Sequence, residues 1–311
     1  MTKKLISLLL VLVLAFSLVA CSKDEEKPAE TATETKTEEK TEEKTEEQAP
    51  EASNEPITVI SREDGSGTRG AFIEIAGIEE KDGDTKVDRT AVEAVVQKST
   101  NAVMMTVNGD KNAIGYISLG SLNDSVKAVK VEGVEASADN VLDGSYKIAR
   151  PFNIVYKGEL DGLKKDFIDF MMSKEGQDMV LENKYVQVDT AAPEYKQSSQ
   201  SGKLVVGGST SVTPLMEKFA EKYMEMYPDV KIEIQSTGSS AGIQAAIEGA
   251  ADLGMASRDL SDEEKAELTN VVIAKDGIAV IVHNDNACDD LSLDQIKAIF
   301  VGDTKTWGDI K

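Results

Sequence analysis

Histidine and cysteine are almost absent from this chain of 311 residues, which contains one histidine, His283, and two cysteines, Cys21 and Cys288. Metal sites built on nitrogen and sulfur need several such ligands close together, so the sequence predicts no metal centre. If Cys21 is modified as argued below, one thiol remains and an intramolecular disulfide is impossible. We interpret Cys288 as a small packing residue and predict no cofactor.

The motifs of nucleotide binding and of serine hydrolysis are missing or stand in the wrong context. No G-K-[ST] sequence occurs, which excludes a Walker loop. The spacing G-x-G-x-x-G occurs at residues 65–70, but three charged residues separate it from the preceding strand, unlike in a dinucleotide-binding loop. Ser66 lies on a glycine-rich turn without the G-x-S-x-G pattern. We predict that the chain is not an enzyme; a serine hydrolase using Ser66 and His283 is the enzymatic alternative.

The first 21 residues have the features of an export signal. Lys3 and Lys4 precede an apolar run over residues 5–20, which is short for a membrane span. The sequence LVAC resembles a lipobox, in which Cys21 would be the lipid-bearing first residue of the mature protein. An ordinary signal with an incidental cysteine is the alternative. We predict a protein on the extracytoplasmic face of the cell membrane, held there only by its lipid anchor.

Residues 22–55 form an acidic segment that is nearly free of large apolar side chains, so we predict a disordered tether. This segment carries a net charge of −8 and the signal carries +2, which leaves −16 of the total −22 on the remainder of the chain. Bulk charge of this sign argues against nucleic acid or anionic lipid as a partner. An anionic ligand would therefore have to be held by local groups.

From Pro56 onwards, strand-like and helix-like segments alternate, which predicts α/β domains with mostly parallel sheets. The predicted strands are ITVIS, NAIGYISL, VKAVKV, FNIVYK, KLVVGG, VKIEIQ, DLGMAS and VVIAKDGIAVIVHN. The predicted helices are one from about Thr68, AVEAVVQ, Leu163–Met172, Thr213–Tyr227, Ala241–Glu248 and Leu293–Phe300. Residues 190–203 are polar, and we predict that they form a connection between regular elements.

Three strand–turn–helix junctions share a composition rich in glycine, serine and threonine: ITVISREDGSGTRGAF, VVGGSTSVTPL and IEIQSTGSSAGIQ. A helix start leaves backbone N–H groups unpaired and carries a partial positive charge. Glycine allows the backbone to approach a ligand, and the hydroxyls add hydrogen-bond donors. Each junction alone is also typical of a capped helix. Together they predict a shared site for an oxyanion.

Arg62 is the expected charge partner of this anion, because a guanidinium can donate two hydrogen bonds to a tetrahedral oxyanion. Asp64 has two predicted roles: it orients Arg62, or it accepts a proton from the ligand. A surface salt bridge between the two residues is the alternative interpretation.

Several motifs together resemble a known family: GGSTSVTPL, GSSAGI, DLGMASR, DGIAVIV, IKAIFVGDTKTWGDI and SREDGSGTR. They resemble the substrate-binding protein of the bacterial Pst phosphate ABC importer. The resemblance implies a two-lobed, hinged clam of the type II periplasmic binding protein fold. It also implies a monomer that binds inorganic phosphate and delivers it to the permease and ATPase subunits of an importer.

The order of the motifs departs from that family, in which the GSTS half comes first and a W-x-x-I motif leads into the SRE strand. Here the chain ends at TWGDIK and its folded part begins at NEPITVISRE. The order indicates a circular permutation, with the old termini joined by 190–203. The resemblance then implies a continuous first lobe over 150–277 and a second lobe made of 56–149 and 278–311.

The resemblance also implies the phosphate-binding residues. They are Arg62, Asp64, Ser66, Gly67, Thr68, Thr210, Ser211, Ser239 and Ser257. Some family members have an aspartate just after a D-x-G-x-S motif, where it accepts the phosphate proton. Here DLGMASRD has Ser257, Arg258 and Asp259 in this region, so the acceptor is Asp64, Asp259 or neither. Alternatives are a receptor for sulfate or molybdate, and a phosphate sensor or adhesion protein without a permease.

Overall fold

A computed structural model describes residues 54–83 and 85–310. The predicted signal peptide, the lipidation of Cys21 and nearly all of the tether lie outside the described residues. The described residues belong to one compact unit.

Strands and helices alternate along the described residues. The strands are β1 Thr58–Arg62, β2 Glu79–Asp82, β3 Thr85–Asp88, β4 Val95–Gln97, β5 Ala113–Ser118, β6 Lys127–Ala128, β7 Lys130–Val131, β8 Ala149–Tyr156, β9 Gly202–Gly208, β10 Val230–Ser236, β11 Leu253–Ala256, β12 Thr269–Val282 and β13 Asp290–Leu291. The helices are α1 Gly67–Ile75, α2 Thr100–Gly109, α3 Ala138–Leu142, α4 Gly162–Met171, α5 Lys174–Glu182, α6 Thr213–Met226, α7 Ser239–Glu248, α8 Asp262–Glu267 and α9 Leu293–Val301.

One nine-stranded sheet has the order β10–β9–β11–β8–β12–β5–β1–β4, and β6 pairs with β12 outside this path. At one end β10, β9 and β11 are parallel, and at the other end β4, β1 and β5 are parallel. The long strands β8 and β12 run antiparallel between these two groups and pair with each other. The sheet therefore consists of two similar halves that meet at β8 and β12.

The two halves enclose separate hydrophobic cores. The Ile60 core contains buried residues from 60–148 and 278–307, together with Val186. The Phe152 core contains buried residues from 152–274. The predicted α/β fold is confirmed. The expectation of mostly parallel strands is wrong, because five of the strand pairs in the described residues are parallel and five are antiparallel. The residue boundaries of the predicted lobes stay a prediction.

One predicted helix is wrong. Residues 91–97 form a turn followed by strand β4, which pairs in parallel with β1 from Ile60 to Arg62. The apolar residues of AVEAVVQ fit a helical period, but β-branched valines also favour strands, and pairing with β1 decides the outcome. Sequence reasoning also missed the β2–β3 hairpin, although the sequence DGD at 82–84 is typical of a hairpin turn.

The two ends of the described chain lie side by side. Pro56 forms an isolated bridge with Thr306, and the Ile57 amide donates to the Lys305 carbonyl at 2.8 Å. The Trp307 amide donates to the Glu55 carbonyl at 3.2 Å. This proximity is what a circular permutation requires, although the permutation itself stays a prediction.

Candidate ligand-binding site

Four strand–turn–helix junctions form the candidate site. In one half β1 leads to α1 and β4 leads to α2; in the other half β9 leads to α6 and β10 leads to α7. Because β1 and β4 are parallel, as are β9 and β10, both helices of each half begin at the same edge of the sheet. Each junction thus presents a helix N-terminus, which favours negative charge.

Hydroxyl groups from the two halves contact each other directly. Thr68 Oγ1 lies 2.8 Å from Ser211 Oγ, and Thr100 Oγ1 lies 3.3 Å from both Thr210 Oγ1 and Ser211 Oγ. The two halves are also joined by a backbone hydrogen bond from Ser240 N to Gly65 O at 3.1 Å. Segments that are more than 100 residues apart in the sequence therefore converge, as the oxyanion hypothesis requires.

Three serines form a second group beside these hydroxyls. Ser209 Oγ donates to Ser257 Oγ at 2.9 Å, Ser239 Oγ lies 3.4 Å from Ser257 Oγ, and the Ser257 amide donates to Ser239 Oγ at 3.1 Å. Gly67 of the opposite half packs on this group, since a Cβ at Gly67 would lie 2.4 Å from Ser239 Oγ and 2.7 Å from Ser257 Oγ. Close approach of the two halves thus depends on glycine at this position.

Arg62 brings a buried positive charge to the cluster, with only 1% of the residue exposed. Its Nη2 donates to Thr210 Oγ1 at 3.1 Å, and its Nε and Nη2 donate to the two carboxylate oxygens of Glu63 at 2.8 and 2.9 Å. The remaining nitrogen, Nη1, is buried and has no hydrogen-bond partner among the described residues. Because an unsatisfied buried donor is costly, Nη1 is a donor available to a ligand.

The carboxylate beside Arg62 is Glu63, and the predicted orientation of Arg62 by Asp64 is wrong. The Asp64 side chain is 99% exposed and pairs with Arg69 Nη1 at 3.1 Å. Asp259 is also exposed. Neither carboxylate is brought into the hydroxyl cluster, because Asp64 lies at the exposed tip of the turn before Gly65 and Asp259 lies beyond the end of β11.

A buried ion pair between Arg150 and Asp276 contacts the backbone of Ser257. Arg150 on β8 and Asp276 on β12 face each other in the antiparallel register, with Nη2 and Oδ2 3.0 Å apart. Arg150 Nη1 also donates to the Ser257 carbonyl at 3.2 Å, and Ser118 Oγ donates to Asp276 Oδ1 at 3.0 Å. Burial raises the pKa of Asp276 although Arg150 and Ser118 oppose this shift. The strands that connect the two halves are thereby tied to the ligand-facing turn.

Tyr116 holds the C-terminal end of β1 in place. Its hydroxyl lies 2.9 Å from Ser61 Oγ and accepts a hydrogen bond from the Arg62 amide at 3.2 Å. Its ring stacks on Phe72 with a centroid distance of 4.0 Å. Burial raises the pKa of the Tyr116 phenol, which therefore stays protonated at neutral pH. These contacts restrict the backbone that carries Arg62.

Comparison with known proteins places the chain in a family. The model of the PBP superfamily domain matches residues 34–175 and 193–310. The chain is 48% identical over 261 residues to the phosphate-binding protein PstS 2 of Streptococcus pneumoniae, covering 84% of this chain and 90% of the relative. It is 50% identical over 262 residues to PstS 2 of Streptococcus agalactiae, covering 83% of this chain and 89% of the relative. The chain belongs to the PstS family within the PBP superfamily.

A solved structure agrees with this assignment. The phosphate-binding protein of a phosphate ABC transporter from Streptococcus pneumoniae superimposes with a TM-score of 0.68 and 54% sequence identity. The match covers 83% of this PstS-family chain and 100% of that protein. The expected PBP-like type of fold is thereby confirmed.

The structure brings seven of the predicted ligand residues of this PstS-family protein to the cluster. They are Arg62, Gly67, Thr68, Thr210, Ser211, Ser239 and Ser257. Ser66 is the N-cap of α1 and accepts a hydrogen bond from the Arg69 amide at 3.3 Å. Within the described residues no hydrogen bond joins Ser66 to His283, whose Nδ1 accepts from the Asp285 amide.

Sequence reasoning missed Thr100, which the structure places in the cluster. The sequence VVQKST is a fourth strand–turn–helix junction with hydroxyl side chains. This signal is hidden in the sequence because the apolar residues at 91–97 also fit a helix. No group of three or more potential metal-ligating side chains occurs in the part of the chain that the structure describes. None of the described helices combines the length and the apolarity that a membrane crossing needs.

Proposed function

We propose that this protein binds inorganic phosphate outside the cytoplasm and delivers it to the permease and ATPase of an ABC importer. The observation that carries the proposal is the unpartnered Nη1 of Arg62, buried where hydroxyls from both halves of the sheet meet. Membership of the PstS family supports the proposal, because the matched relatives are phosphate-binding proteins by name.

The cluster suits a binder that performs no chemistry on its ligand. Its side chains are hydroxyls and one guanidinium, and hydrogen bonds to an anion from such donors are each worth about 1.5 to 3 kcal/mol. The Glu63 carboxylate uses both oxygens to bind Arg62, so it does not act as a free general base. We therefore propose that the protein is not an enzyme.

The proposed ligand set contains the seven residues of the cluster, which are Arg62, Gly67, Thr68, Thr210, Ser211, Ser239 and Ser257. We add Ser66, because it is buried beside Gly67 and its hydroxyl, which accepts the α1 cap bond, can still donate to a ligand. Asp64 is left out because its side chain is exposed and bound to Arg69. We further propose that the mature protein is a monomer that is lipidated at Cys21 and tethered to the extracytoplasmic face of the membrane.

Isothermal titration calorimetry with phosphate tests the proposal. Arg62→Ala removes the buried charge, and we expect its dissociation constant to rise at least about tenfold. Arg89→Ala is the matched control, because this arginine pairs with Glu80 on the β2–β3 hairpin, away from the cluster. Asp64→Asn should change the affinity by less than about threefold, since an exposed pair is worth little.

Sulfate and molybdate distinguish the proposed function from the alternative receptors. Phosphate should give a binding isotherm, and a large excess of sulfate or molybdate should not displace the bound phosphate. Equal binding of sulfate would favour a general tetrahedral-oxyanion receptor, and absence of phosphate binding by the wild type would refute the proposal.

A further inference from the structure

The two halves of the sheet repeat one arrangement of strands and helices. In each half the first strand leads to a helix, then to the edge strand, then to a second helix, and then to the third parallel strand. The order β4–β1–β5–β12 thus corresponds to β10–β9–β11–β8. In this correspondence α2 takes the place of α7, because each follows the edge strand of its half.

Thr100 occupies the position in α2 that Ser239 occupies in α7. Each is the first residue of its helix, and each is buried, with 4% of Thr100 and none of Ser239 exposed. The cap of α2 is a different residue, Ser99, whose hydroxyl accepts from the Ala102 amide at 3.1 Å. The Thr100 hydroxyl is therefore not needed to cap the helix.

The Thr100 hydroxyl is directed to the opposite half of the fold. It lies 3.3 Å from both Thr210 Oγ1 and Ser211 Oγ, which are long contacts for a pair of hydroxyls. The buried Arg62 donates to the same Thr210 hydroxyl while its Nη1 has no partner in the described chain. The buried Arg62 and the first residue of α2 thus both contact the Thr210 hydroxyl.

We propose that Thr100 and the N-terminus of α2 form a fourth arm of the anion site. The Thr100 hydroxyl then donates a hydrogen bond to one oxygen of a tetrahedral oxyanion, as the junctions at α1, α6 and α7 do to the others. Four helix N-termini from two related halves match the four oxygens of such a ligand. This inference rests on the proposed phosphate function and adds a residue to it.

Thr100→Val tests the proposal, because valine keeps the shape of threonine and removes the hydroxyl. Calorimetry with inorganic phosphate should show a dissociation constant at least about tenfold above that of the wild type. Thr100→Ser restores a hydroxyl and should bind at least about fivefold more tightly than Thr100→Val. Thr106→Val, in the same helix, is the matched control, since the Thr106 hydroxyl donates to the Ala102 carbonyl at 2.8 Å.

The outcomes separate this inference from the proposed function. If the wild type binds phosphate and Thr100→Val binds equally well, the fourth arm is refuted while the proposed function stands. An equal loss in Thr100→Val and Thr106→Val would also refute it, because the effect would then come from α2 as a whole. If the wild type does not bind phosphate, both proposals fail. Thermal unfolding without phosphate establishes that each variant is folded.

Discussion

Gly67→Ala provides a sharp test of how closely the two halves of the fold must approach. Gly67 does not have a positive φ, so alanine is compatible with its backbone, and as the first residue of α1 it should favour the helix. The added methyl group instead meets the opposite half, where Ser239 Oγ would lie 2.4 Å away and Ser257 Oγ 2.7 Å away. The perturbation therefore acts on the contact between the halves.

The size of the effect follows from these distances. Non-bonded carbon contacts are comfortable at about 3.5 Å or more, so the two sides must separate by about 1 Å. The Thr68–Ser211 contact, now 2.8 Å, would then exceed the range of a hydrogen bond. Overpacking of this kind costs about 1 to 3 kcal/mol, which corresponds to about a fivefold to 150-fold loss of affinity.

Calorimetry with phosphate measures the loss of affinity, and thermal unfolding without phosphate measures any loss of stability. Gly67→Ala should weaken phosphate binding by the stated factor. Its unfolding midpoint without phosphate should change by no more than about 3 °C, because the two halves can separate and relieve the clash when no ligand holds them together. Gly70→Ala, in the same helix, is the control, because its Cβ would lie 3.4 Å from Arg258 Cδ, a flexible neighbour. We expect Gly70→Ala to bind like the wild type.

Wild-type affinity in Gly67→Ala would refute the reasoning. It would mean that the ligand-bound protein holds Gly67 farther from Ser239 and Ser257 than the described structure does. The tight approach would then not be part of the binding geometry.

Two further predictions concern the parts of the fold outside the site. Tyr195 and Tyr223 both donate hydrogen bonds to Asp166. Partial burial raises the pKa of Asp166, but these hydrogen bonds outweigh burial and hold the pKa of Asp166 below its ordinary value. Asp166→Asn should therefore lower the unfolding midpoint at pH 7. The difference from the wild type should shrink below about pH 4, because the wild-type carboxylate is then progressively protonated. A difference that stays constant down to pH 3 would contradict this prediction. The Trp307 amide donates to the Glu55 carbonyl, so the two ends of the described chain are close enough to be joined. A variant in which a linker joins these ends and the chain is opened within 190–203 should therefore fold and bind phosphate. Failure of this variant to fold would count against the predicted permutation.

The sequence predicted much of the site because its signals are local. An apolar strand, a turn with glycine and hydroxyl residues, and a helix start are all visible within about fifteen residues, and three such junctions converge as expected. The fourth junction, at Thr100, was missed since valines at 92–96 fit either a helix or a strand. Only pairing with β1, which is more than 30 residues away, decides between them.

The choice between Glu63 and Asp64 was beyond sequence reasoning for another reason. Both carboxylates follow Arg62 within two residues, so spacing alone favours neither of them. The backbone after β1 turns so that the Glu63 side chain is 21% exposed and binds Arg62, while the Asp64 side chain is 99% exposed. The Arg150–Asp276 pair was equally hidden, because its partners are 126 residues apart.

The charges explain why local donors must carry anion binding in this protein. The folded part of the chain has a net charge of −16, which opposes the approach of a dianion. The buried Arg62 and Arg150 do not reverse this field, since Glu63 pairs with Arg62 and Asp276 pairs with Arg150. What remains is short-range: the unused Nη1 of Arg62, hydroxyls held by buried contacts, and helix N-termini that meet at one point. We expect such donors to bind an anion only when both halves of the fold contribute, so binding should require the two halves to come together around the ligand.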